Sequence, residues 1–108
     1  MTKYLVLYRS TMSNMDQMAK ATPAQMKASM DEWAAWTTKA GTAVVEVGSP
    51  VGGTTVVTGT PSGGFFGGYS IVQAESLEAA KRLFDVHPHR SAPGASIELL
   101  ELMSMSGA

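Results

Sequence analysis

Near its start the chain reads Lys3-Tyr4-Leu5-Val6-Leu7-Tyr8-Arg9, a run of β-forming residues that constrains every later element. Tyr4, Val6 and Tyr8 share one parity and Leu5 and Leu7 the other. A strand built from it is apolar on both faces and belongs inside a sheet covered twice. Residues 95–103 repeat the pattern, with Ile97 and Leu99 on one parity and Leu100 and Leu102 on the other. Either both faces of that strand are covered or a bulge near Leu99 switches them.

Two helix signals lie between these strands. Thr22-Pro23-Ala24-Gln25 places Thr at an N-cap, Pro at the first helical position and Gln three residues past the cap. Met26, Met30, Trp33 and Thr37 follow at helical spacing, Trp36 and Ala40 widen the stripe, and Gly41 ends the helix at a left-handed C′ position. Ser76 caps a second helix, with Glu78 in its first turn and Leu77, Ala80, Leu83 and Phe84 as its buried stripe, stopped by His87-Pro88. The runs 42–47, 54–58 and 68–74 read as strands. Residues 10–21 read as a loop whose Met12, Met15 and Met18 either lie over a cavity or fill gaps at the core edge.

The resulting order, β-α-β-β-β-α-β, is that of a ferredoxin-like α+β fold, an antiparallel sheet with two helices on one face. Two helices leave the other face open, yet the first and last strands are apolar there too. A second copy packed face to face resolves the conflict and makes a homodimer, a dimeric α+β barrel. The 108 residues fit one domain over 1–103, with 104–108 as a flexible tail. Charged residues make up only 16% of the chain, against roughly 25% in an ordinary soluble domain, which agrees with a surface that partly faces another protein.

Composition also narrows function. Eight Lys and Arg stand against nine Asp and Glu, a net charge of −1 without runs of one sign, so a nucleic-acid partner is not expected. The absence of Cys excludes disulfides and thiolate chemistry. The first apolar run is too short for a signal peptide or a membrane span, and a cytoplasmic protein is the expectation. Glycines crowd the stretch between Gly48 and Gly68, but no Gly-Lys pair occurs and no helix follows at nucleotide-binding spacing. Hairpin turns with bulges account for them.

Residues 3–8, Trp33 and Trp36 ahead of Ala40-Gly41, Gly68-Tyr69-Ser70-Ile71-Val72, Glu75-Ser76-Leu77-Glu78-Ala79-Ala80, His87-Pro88 and Ser96-Ile97-Glu98-Leu99 together resemble the YCII-related family, on its DGPF-domain side. The resemblance spans nearly the whole chain. It implies a homodimeric α+β barrel related to small cofactor-free enzymes, a few of which dehydrochlorinate or hydrolyse small molecules. Active members carry a histidine early in the first helix, after a Pro-Ala pair, and an aspartate before the proline that follows the second helix. This chain has Gln25 and His87 at those places, and the Asp-Gly-Pro-Phe tetrapeptide of the other branch is replaced in the region of Gly59-Thr60-Pro61.

Asp85-Val86-His87-Pro88-His89-Arg90 holds both histidines, the side chains best suited to proton transfer near neutral pH. His87 is the candidate general acid or base, oriented by Asp85 or Glu98; the alternative is a residue that merely ends a helix. His89 joins it as a ligand-binding candidate. A metal is not expected, because His-x-His lacks a firm third ligand, and no cofactor motif occurs. Tyr8 and Arg9 close the first strand, where a barrel cavity would open, and either bind an anionic or phenolic ligand or simply end the strand. Gln25 either donates to a substrate oxygen or completes the cap. Two functions follow: a dimeric module binding a small molecule between sheet and helices, or a cofactor-free lyase or hydrolase using His87.

Overall fold

The structure, a computed structural model, describes residues 1–61 and 63–103. Its elements are β1 (Thr2–Ser10), α1 (Asn14–Lys20), α2 (Pro23–Ala40), β2 (Val44–Pro50), β3 (Phe65–Ala74), α3 (Leu77–Arg82) and β4 (Ser96–Glu101), with short 3-10 turns at Gly41–Ala43 and Pro88–Ser91. The four strands form one antiparallel sheet in the order β2-β3-β1-β4. β1 is interior, as its two-sided apolar pattern requires. Tyr4, Val6 and Tyr8 pair with Val72, Ser70 and Gly68 of β3 on one side and with Glu101, Leu99 and Ile97 of β4 on the other.

That parity forms the core. Tyr4, Val6 and Tyr8 from β1 and Val72 and Ala74 from β3 are buried against Trp36 of α2, Ala80 of α3 and Phe84 just beyond it. Each large apolar side chain removed from water contributes about 1.5–3 kcal/mol. Trp36 stacks on Phe84 at 5.3 Å, and its indole N–H donates to the Leu83 carbonyl at 2.7 Å, so the one polar atom of the ring is satisfied inside. The opposite face carries Leu5, Leu7, Ile71 and Leu100, half-buried or exposed. It is the uncovered side of a two-sided strand.

The α+β class and the helix-covered antiparallel sheet agree with the sequence. Several elements differ. Residues 54–58 are not a strand: the sheet has four strands, and Val56 and Val57 are exposed. β-branched residues favour a strand only where a pleated, half-buried surface accepts them, and here β2 takes that place beside β3. Residues 10–21 are not all loop. Ser13 accepts from the Asp16 N–H at 3.1 Å and starts α1, which buries none of its residues and leaves Met15 and Met18 exposed. No bulge occurs at Leu99, since β4 pairs with β1 without a shift; the irregularity lies between Tyr8 and Arg9, opposite β3. Residues 104–108, expected as a tail, lie outside the described residues.

α2 begins as expected. Thr22 Oγ1 accepts from the Gln25 N–H at 3.1 Å, and Gln25 Oε1 accepts from the Thr22 N–H at 2.8 Å. Its apolar stripe is only half used. Residues 22–32 are all exposed, Met26 and Met30 included, while Trp36 is buried and Trp33 half-buried. Gly41 has φ 57 and ψ −125, positive but outside the left-handed helical region, a conformation that side-chain-bearing residues avoid. At Gly48, where φ is 80, a Cβ would collide with the Tyr69 carbonyl, so glycine lets β2 approach β3. Among the described residues no helix is long and apolar enough to cross a membrane.

No residue in the first half of α2 is buried, so its stability is largely local. Thr22→Ala should cost about 1 kcal/mol there. The expected readout is about fivefold faster amide exchange in the first turns of α2, with a smaller change in the global urea midpoint.

Candidate functional site

α3 ends at Arg82, earlier than its stripe suggests, and the chain turns through residues 83–86 before His87. His87 therefore does not terminate the helix. It caps the 3-10 turn that follows, its Nδ1 accepting from the His89 N–H at 3.0 Å. Pro88 at the first position of the turn fixes the backbone for this. His87 is only 2% exposed. Its ring stacks on Tyr8 at 4.9 Å and meets Trp33 at 4.4 Å and Trp36 at 4.5 Å nearly edge to face, with Phe84 at 5.6 Å.

The protonation state follows from these contacts. An Nδ1 that accepts a backbone hydrogen bond carries no proton, so the neutral ring has its hydrogen on Nε2. That Nε2 is buried without a hydrogen-bond partner among the described residues. Burial, and secondarily the neighbouring His89, push the His87 pKa down to about 4. At neutral pH His87 is an uncharged member of an aromatic box.

Tyr8 forms one wall. Its hydroxyl donates to Ser70 Oγ at 3.0 Å, and Ser70 Oγ donates to the Val47 carbonyl at 2.7 Å. Burial raises its pKa to about 12, partly offset by the Ser70 hydrogen bond. His89 is also buried, and its Nε2–H donates to the Arg9 carbonyl at 2.7 Å. Both imidazoles are thus tied to backbone groups. No group of three His, Cys, Asp or Glu that could hold a metal ion occurs among the described residues.

Arg9 follows Tyr8 and points to the opposite face. Its guanidinium pairs with Glu98 at 3.3 Å, donates to the Gly63 carbonyl and lies 4.6 Å from the centre of the Phe66 ring. Tyr69 shares that face, donating to Glu46 at 3.1 Å, and the hydrogen bond and charge of Glu46 raise its pKa. The sequence candidates therefore divide into Tyr8, His87 and His89 beneath the helices, and Arg9 with Glu98 on the open face. Gln25 joins neither group and stays in its exposed cap. Asp85 is exposed, and no hydrogen bond links it to His87.

Asp85 instead lines a groove of about 560 Å³ between α3 and β4. Phe84, Ile97, Leu99, Leu77 and Ala95 give it apolar walls, and Lys81, Asp85 and Arg90 bring charge to it. Sequence reasoning did not single out Lys81 or Arg90. A signal was present for Lys81, which falls at i+4 from Leu77 on one face of a helix; Arg90, in the turn beyond it, has no such spacing.

A four-stranded antiparallel sheet roofed on one face by helices, with an open apolar opposite face, defines a small ferredoxin-like α+β module. The chain belongs to the YCII-related domain family, whose pattern matches residues 3–106. Comparison with curated proteins finds none that matches.

The His87 box makes stability depend on pH. The folded protein holds His87 neutral down to about pH 4, whereas the unfolded chain binds that proton near pH 6.5. Protonation therefore favours unfolding between those values. Stability should be full above about pH 6.5 and fall by roughly 3 kcal/mol as pH drops to about 4. Denaturant midpoints across that range check the loss, and proton NMR of the ring should show a neutral His87 at pH 5.

Proposed function

We propose that the protein is a homodimeric YCII-type binding module that takes a small molecule in the groove between α3 and β4. The groove is the observation that carries this reading: its volume lies within the roughly 300–1,000 Å³ of ordinary ligand sites, and it combines apolar walls with a few polar groups. The alternative, acid-base catalysis by His87, has less support. A base needs a free lone pair within reach of the substrate, and Nδ1 of His87 is occupied while the ring is sealed by Tyr8, Trp33 and Trp36.

Dimerisation is supported by the open sheet face. Leu5, Leu7, Ile71 and Leu100 form an apolar band across β3, β1 and β4, with Arg9 and Glu98 toward one end. In the face-to-face arrangement these charged groups border the space between the two sheets. An obligate interface of this kind buries about 2,000 Å² or more.

Light scattering should give twice the 11.4 kDa chain mass, and Leu5→Lys should shift the protein to monomer; a monomeric wild type would remove the dimer. For the groove, a ligand-detected NMR screen of small fragments should return hits that shift the amides of Phe84, Ile97 and Leu99. Hits that map to the Tyr8–His87 box and are chemically converted would favour the enzyme.

A further inference from the structure

The groove has a charge pattern that selects among ligands. Arg90 Nη1 makes only a long contact of 3.5 Å to the Phe84 carbonyl, and among the described residues no carboxylate lies within ion-pairing distance of Arg90. A guanidinium has five donors in a planar fork, so most of its capacity is unused. Lys81 stands on the same groove, paired loosely with Glu78 at 3.8 Å on the exposed side of α3. Asp85 is the one acidic side chain among the lining residues. Among the lining residues two cations stand against one anion, and because Glu78 offsets Lys81 the uncompensated positive charge centres on Arg90.

The apolar part is equally specific. Phe84 is buried in the core, whereas Leu77 is 51% exposed although it opens the helix on the same face. Leu77, Ile97, Leu99 and Ala95 offer aliphatic surface beside the charged groups. An occupant that satisfies both regions has an apolar body and a single anionic head.

Resting on the groove reading above, we propose that the ligand is a small amphipathic carboxylate, its chain lying along Leu77, Phe84 and Leu99 and its carboxylate meeting the guanidinium of Arg90. A planar carboxylate matches the Arg fork with two parallel hydrogen bonds, and Lys81 adds a second, more mobile charge. Asp85 opposes the anion and sets an upper limit on affinity.

Octanoate, octanol and octylammonium, titrated separately into the full chain, test this. The amide shifts of Phe84, Ile97 and Leu99 report occupancy, and so does the fluorescence of Trp36, which stacks on Phe84. Octanoate should bind more tightly than the other two. Arg90→Gln should weaken octanoate by about three- to tenfold and leave octanol unchanged. Asp85→Asn should act in the opposite direction and tighten octanoate. Both substitutions are at exposed positions and leave the core intact. If octanol binds as well as octanoate and Arg90→Gln changes neither, or if octylammonium binds best, the carboxylate assignment falls while the groove stands. If none of the three probes shifts the groove residues, the groove reading falls with it.

Discussion

Tyr8 holds the two halves of the molecule together. It is the last large residue on the helix-facing side of the interior strand, and it is 1% exposed. Its ring packs against Trp33 at 4.9 Å, Phe84 at 6.4 Å and His87 at 4.9 Å, which joins α2, the end of α3 and the turn after it. Its hydroxyl reaches Ser70 and, through it, the Val47 carbonyl of β2. A buried hydroxyl without a partner costs about 1–3 kcal/mol, so this relay fixes where β2 runs. Gly48 is then required, because only a residue without Cβ lets the next peptide pass the Tyr69 carbonyl.

This arrangement explains what the amino-acid order revealed. The interior position of β1, written in its own alternation, and the Thr22–Gln25 cap, which depends on residues three apart, both read correctly. The run 54–58 has the composition of a strand but no vacant sheet edge to use, and composition cannot report a vacancy. α1 is hard to read for the converse reason: its methionines recur at a spacing of three but face outward in a polar segment, with none of its residues buried. The candidate site was legible only as a list. His87 was identified as the residue to watch, yet its surroundings of Tyr8, Trp33, Trp36 and Phe84 are contributed by segments as far apart as residues 8 and 87. Nothing in local spacing tells a sealed imidazole from an open one.

Alternation along β1 separates the two sets of polar groups. Adjacent residues of a strand point to opposite faces, so Tyr8 belongs to the aromatic interior and Arg9 to the open face with Glu98 and Phe66. Their adjacency in sequence suggests a shared site, while the pleat places the sheet between them. The groove depends on a different geometry, a helix face set beside an edge strand, and its charged residues come from α3 and the turns that follow it.

The exposed surfaces of α1 and of the start of α2 bear on how the protein meets oxidants. Met15, Met18, Met26 and Met30 are all exposed, and among the described residues the buried core consists of aromatic, aliphatic and alanine side chains without a methionine. Conversion of a thioether to its sulfoxide adds polarity and disrupts packing wherever the sulfur is interior. Here these four side chains lie outside the core. They can take up oxygen, and be repaired by reductases, at no cost to the packing around Tyr8.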